Sequence, residues 1–286
     1  MKPAGIDIIG ADLTVIRDTD GQFYLDRFNA DGSSESGLDD LMEMTSLSVH
    51  DVSVTFIDEL YDEPPQRFSA IAMSLNNQGY THTLTGHALL PGGVGYRIDV
   101  EADLYGDSHQ PASWQGQLYA KGQSVSFSAV ADRYLPAGIS LEGVADVRLW
   151  ADVASLGVKA FSGELDTHDL KVTHLKESRE YNFQADQLRG QFGWRQNEEG
   201  WQFALQQLLV RQGERTWKTE ALSLAGHHHE QSAHIEGVSA LIELDGLGAL
   251  LPFAPGLEPE ERALLAELHP RGLIKDLTFS VSAKRG

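Results

Sequence analysis

Apolar residues in this chain recur at relative positions 1, 3, 6 and 8, and no other feature constrains the fold as tightly. One copy reads Leu47, Val49, Val52, Val54 and another Phe203, Leu205, Leu208, Val210. Phe183, Ala185 and Leu188 follow the same spacing, as do Leu165, Leu170 and Val172. Spacing by two puts side chains on one face of a strand. The extra residue between positions 3 and 6 would turn the second half of a regular strand over. A β-bulge there restores the face, and bends and twists the strand. Recurrent bulges are what a long, curled, open sheet requires. The segments LSVHDVSVTF and LDTHDLKVTH align closely, but the copies are unevenly spaced, which argues against a strict solenoid.

Alternation is cleanest at Ala145–Val153. Ala145, Val147, Leu149, Ala151 and Val153 fall on one side, against Asp146, Arg148, Trp150 and Asp152. A short helix is predicted before it over Phe127–Leu135, and a turn after it over Ala154–Gly157. In chain order, strands are expected at Ile8–Ile16, Phe23–Phe28, Leu47–Phe56, Phe68–Leu75, Tyr80–Leu90 and Tyr96–Tyr105. Further strands are expected at Tyr181–Trp194, Trp201–Arg211, Trp217–Leu224, Ala233–Leu244 and Leu273–Ser282. Asp18–Gly21 reads as a hairpin turn and Asp58–Gln66, with Pro64-Pro65, as a loop. Leu38–Met44, Asp245–Leu251 and Pro259–Leu268 read as short helices; in the last, Pro lies at a first helical position and Leu264, Leu265 and Leu268 share a face. The predicted class is all-β and mainly antiparallel, with few helices to cover an apolar groove. Residues 1–286 form one such segment, with 1–112 and 113–286 as its sub-units if it divides.

The chain carries 42 acidic against 22 basic residues, a formal net charge of −20. Nucleic-acid phosphates and anionic bilayers repel such a surface, so no nucleic-acid partner is expected. The absence of cysteine excludes disulfides, thiolate metal sites and a cysteine nucleophile. No apolar run reaches the roughly 18 residues that a membrane-spanning helix needs. Met1 leads directly into strand pattern, and is read as the start of an excised segment or of a chain that has lost its leader.

Four histidines, His227–His229 and His234, are the obvious metal candidates. Neighbouring side chains on a strand point in opposite directions, and no HExxH spacing or carboxylate pair accompanies them. They read as a solvated turn, and no metal or cofactor is expected. His50-Asp51 and His168-Asp169 occupy equivalent points in two repeat copies. Either pair could orient a general base, but no nucleophile elbow is present, so both read as bulges. No catalytic residues are assigned. Trp114, Trp150, Trp194, Trp201 and Trp217 could stack on sugars, though cross-strand packing is the plainer reading.

From Trp114 to Thr173 the sequence resembles the YhdP family of AsmA-like envelope proteins. The similarity lies in Trp114-Gln-Gly-Gln-Leu-Tyr119, Tyr134-Leu-Pro136, Gly143 and Val147-Arg-Leu-Trp150. It continues through Glu199-Gly-Trp-Gln-Phe203, Leu208-Leu-Val-Arg211, Arg215-Thr-Trp217 and His269-Pro-Arg-Gly-Leu273 with Asp276-Leu277. The resemblance implies a periplasmic section of a longer, bridge-like lipid-transfer protein of Gram-negative bacteria. Its tether to the inner membrane lies in a part absent from this chain. The implied partners are phospholipid acyl chains and the remaining segments of the longer protein. Val52, Val54, Ile98, Val100, Val147, Leu149, Leu205 and Val210 are the expected lining, although alternation does not separate an open trough from a sealed core. The rival reading is a β-sandwich adhesion or glycan-binding module that uses exposed Trp and Tyr residues; an unrecognised hydrolase ranks third.

Overall fold

The computed structural model describes residues 5–21, 23–26, 45–61, 63–107, 110, 113–131, 135, 138–155, 157–176, 179–197, 200–229, 232–244, 264, 267 and 271–284. The expected helices at Leu38–Met44 and Asp245–Leu251 lie outside the described residues, as does most of Pro259–Leu268.

Among the described residues fifteen strands belong to one open sheet, so the two-sheet sandwich is not the architecture. They are β1 (Gly5–Ile9), β2 (Asp12–Arg17), β3 (Phe23–Leu25), β4 (Ser46–Asp58), β5 (Glu63–Gln78), β6 (Thr81–Leu89), β7 (Arg97–Tyr105) and β8 (Gln115–Ser126). After helix α1 (Phe127–Ala131) come β9 (Ile139–Ala154), β10 (Gly157–Lys176), β11 (Arg179–Asn197), β12 (Gly200–Gln212), β13 (Arg215–His229), β14 (Ser232–Glu243) and β15 (Leu273–Lys284). From β4 to β15 every strand neighbours its successor. Tight turns supplied by Asp, Asn and Gly make most of the reversals of this meander, while α1 stands between β8 and β9 and residues 244–272 between β14 and β15. The chain divides into two compact units, one of Met1–Ser124 with Leu149–Val158 and the other of Val125–Arg148 with Lys159–Gly286.

Three expectations are corrected. The first strand is interrupted: β1 and β2 both lie parallel to β4, separated at Gly10-Ala11. Gly10, at φ 65°, donates its amide to His50 O at 3.0 Å beside the kink at Asp51, so the break in one strand follows the bulge in its neighbour. Pro64 and Pro65 belong to β5 rather than to a loop. They occupy an irregular stretch of the β4–β5 ladder, and on the other side the β6 pairing begins only at Ser69, so no ladder hydrogen bond needs their missing N–H groups. Finally, His227–His229 end β13 instead of forming a turn, because β13 runs on past Leu224.

Three bulges fall where the repeat places them; the copy at Phe183, Ala185 and Leu188 has no left-handed residue, and Ala70, Ser124 and Asp276 are left-handed outside the copies. Asp51, Asp169 and Gln207 have φ near 50°, the left-handed region that residues other than glycine seldom adopt. At each, two successive exposed residues, His50-Asp51, His168-Asp169 and Gln206-Gln207, separate buried or half-buried apolar ones. The His-Asp pairs are therefore bulge residues.

Candidate functional site

Residues paired directly across neighbouring strands share a face, so the ladder register shows what each face carries. In the first unit Leu47, Leu75, Leu84, Ala102 and Leu118 pair in sequence from β4 to β8. The next row is Val49, Met73, Gly86, Val100 and Ala120. Ala88, Ile98 and Gly122 follow on β6 to β8. The opposite face carries Ser48, Ser74, Thr85, Glu101 and Tyr119 in one row, and Asn76, Thr83, Asp103 and Gln117 in another. One side is thus almost wholly apolar and the other polar.

Near one end of this face His82 is fully buried. Its Nδ1 lies 2.7 Å from Asn77 Oδ1, and Nε2 lies 3.0 Å from Gly106 O, an acceptor to which Nε2–H donates. Trp114 stacks on the imidazole at 4.1 Å, and donates its indole N–H to Asp107 O at 2.8 Å. Each ring nitrogen therefore has a polar neighbour, which makes the burial of this ring tolerable.

The second unit repeats the arrangement. Phe161, Trp194, Phe203, Leu224, Gly237 and Phe279 form one row from β10 to β15. Gly163, Phe192, Leu205, Leu222, Ser239 and Leu277 form the next. Beyond these rows the ladder is irregular. Gln207 bulges opposite Gly190, residues 220–221 and 240–241 are unpaired between β13 and β14, and Asp276 has φ 53°. These irregularities form a crease across β12–β15. Past it lie Leu208, Thr219 and Ile242 in one row and Val210 and Trp217 in another. There Leu170, Phe183, Ala185, Leu208, Val210 and Trp217 make a sealed cluster, against which Phe127 of α1 and Leu141 of β9 pack. Hydroxyls satisfy the backbone where the ladder is irregular: Thr167 Oγ1 accepts from Leu188 N at 3.0 Å, and Ser239 Oγ donates to Ala221 O at 2.8 Å.

The polar face is cross-linked by charge. Arg148 bonds Glu164 at 2.6 Å, Gln187 bonds Asp166 at 2.6 Å, and Arg189 approaches Asp166 at 3.2 Å. In the first unit a pair lies instead on the side that carries Leu13 and Val54: Arg17 forms a two-pronged pair with Asp58, one bond being Nε to Oδ1 at 2.9 Å, with its guanidinium 4.8 Å from the Tyr61 ring centroid. The hydrogen bonds from Arg17 hold the Asp58 carboxyl below its usual value, against the opposing effect of burial.

The eight expected lining residues lie in different surroundings. Val52 and Val210 are sealed, at 1% and 0% exposure, and Val54 packs against the cluster of Leu47, Val49, Val52 and Leu75. Ile98 and Val100 belong to the apolar rows of β7 and are half-buried. Val147 and Leu149 are half-buried on the inward-alternating side of β9, beside fully buried Ala145. Leu205 is half-buried and lies on the opposite side of the Gln207 bulge from Val210. The expected lining left out Phe161, Phe192, Leu222, Leu224 and Phe279, and Phe203 although the repeat places it on the face of Leu205; period-two spacing within β10 to β15 places each on the apolar face.

The tryptophans make cross-strand ring contacts or are buried, with Trp150 still 43% exposed. Trp194 stacks on Phe161 at 5.5 Å, Trp150 meets Tyr119 at 5.4 Å, and Trp217 is buried. His227 pairs with His234 across β13 and β14, and His234 Nε2 lies 3.0 Å from Glu236 Oε1. Among the described residues no helix is long and apolar enough to cross a membrane.

Comparison with curated proteins and with solved structures returned no match. A family model described as YhdP protein matches residues 2–285. An open sheet with one apolar face suits a lipid-transport groove, and the chain belongs to the YhdP family, a lipid-transport family of the bacterial envelope.

Proposed function

We propose that this chain is a section of a periplasmic conduit that shields phospholipid acyl chains between the inner and outer membranes. The observation that carries the reading is the apolar sheet face, many of whose large side chains remain only half-buried while the opposite side is mainly polar, with small and charged residues interspersed. Moving an acyl chain from lipid into water costs about 0.8 kcal/mol per CH₂, on the order of 13 kcal/mol for sixteen carbons. A continuous apolar lining removes most of that cost, so passage needs no covalent step and we assign no enzymatic role. The acidic exterior keeps a protein with so much apolar surface dispersed. The remaining segments of a longer, membrane-anchored protein would extend the lining to both membranes.

Native mass spectrometry of the gently purified chain tests this reading. Adducts with the mass of phospholipid are expected, and extraction should release diacyl lipids. Spectra of bare polypeptide from several independent preparations would overturn it.

A further inference from the structure

Within the second unit, strands β12–β14 cross the crease with the same face inward, yet their apolar residues differ in exposure on its two sides. Val210 and Trp217 are 0% and 5% exposed, and Leu208 and Ile242 are also buried. Phe203, Leu222 and Leu224 are only half-buried, and Leu205, also half-buried, packs against the edge of the sealed cluster. Propensity and alternation are alike on both sides, so the crease separates a sealed core from an open surface. The open part also has a low floor. A Cβ built on Gly237 would lie within the Phe279 ring, and one on Gly226 within the Trp201 indole. Each ring therefore lies across the backbone of the next strand instead of standing away from it, which leaves space above.

The geometry points to an acyl-chain track that crosses the strands along this open half and stops at the crease. It rests on the conduit reading and assigns the path within it. Six strands at about 4.8 Å spacing span roughly 24 Å. An acyl chain filling one leaflet of a hydrocarbon core about 30 Å thick needs only about 15 Å. A track along the strands would instead run into the bulges, where exposed Gln207 and Asp276 mark the turn in the backbone. The sealed side offers no room, because its side chains already fill one another's contacts.

The test loads the 286-residue chain with phosphatidylethanolamine carrying a diazirine on one acyl chain, and maps the cross-links residue by residue. Cross-links are expected on Phe203, Leu222, Leu224 and Phe279, and not on Leu208, Val210, Trp217 or Ile242. Leu224→Asp should fold, since its carboxylate stays hydrated on an open surface, and should capture at least about tenfold less lipid. Ser223→Asp, on the wet face of the same strand, should capture lipid as the parent does. Cross-links centred on the sealed side overturn the track while the conduit reading stands. Normal capture by Leu224→Asp, or its failure to fold, has the same consequence. If the parent chain captures no lipid, the conduit reading itself falls.

Discussion

At Gln207 a residue with a full side chain adopts φ 51°, as Asp51 and Asp169 do at 53°. The left-handed region costs an L-residue roughly 1–2 kcal/mol, less for Asp, whose short side chain bonds locally. The cost persists because an in-register alternative would turn Leu208 and Val210 toward water. Gln207→Gly removes the steric term and adds some unfolded-state entropy, for a net gain of about 0.5–1 kcal/mol. Gln207→Val, branched at Cβ, should lose about 1–3 kcal/mol. Urea denaturation of both variants checks the sign; a destabilised Gln207→Gly would show that the side chain itself holds the bulge. The residue type at the bulge was not what made it legible. The spacing of its apolar neighbours was, because a face that must stay inward reveals any extra residue.

Among elements, the Arg17–Asp58 pair joins registered residues at the ends of the parallel strands β2 and β4. Asp58 is 3% exposed and its carboxyl is held below the ordinary value by the Arg17 hydrogen bonds. A carboxylate with a depressed folded-state pKa contributes stability above its unfolded value, near 3.9, and loses it as pH falls through the folded one. Asp58→Asn should therefore lower the unfolding midpoint at pH 7, with the difference from the parent shrinking as pH falls below about 4. Thermal unfolding across pH 2.5–7 reads this, at about half-unit steps. A gap that stays constant with pH would show that packing, and not charge, ties the strands. The hairpin of β2 with β3 was legible in the sequence, and the parallel pairing of β2 with β4 was not. Two strands close together in the chain favour a hairpin, and only contact with a segment some forty residues on makes the parallel arrangement.

For the whole molecule the governing quantity is charge. With 42 acidic residues against 22 basic ones, ion pairing leaves a large excess of negative charge, and self-repulsion opposes the compact state. Raising ionic strength from about 0.01 to 0.15 M shortens the screening length from roughly 30 to 8 Å. The unfolding temperature should rise over that range, since long-range repulsion is screened more than short contacts such as Arg148–Glu164 at 2.6 Å. A fall in unfolding temperature with salt, measured by calorimetry, would show that the ion pairs on the polar face outweigh the repulsion.

The sequence by itself determined the all-β class, most strand limits and the three bulge sites within the repeat. These are matters of local backbone geometry: alternation, turn chemistry and the one-residue slip at Asp51, Asp169 and Gln207 are all written within a few residues. Tertiary structure alone decided the docking of β1 and β2 on β4, the place of Pro64-Pro65 in β5, and the different fates of Leu205 and Val210. Those two lie on the same strand and the same face, Val210 sealed at 0% exposure and Leu205 half-buried at the edge of the same cluster. Their side chains are equally apolar, and exposure depends on what residues far away in the chain place above them, which no periodicity records.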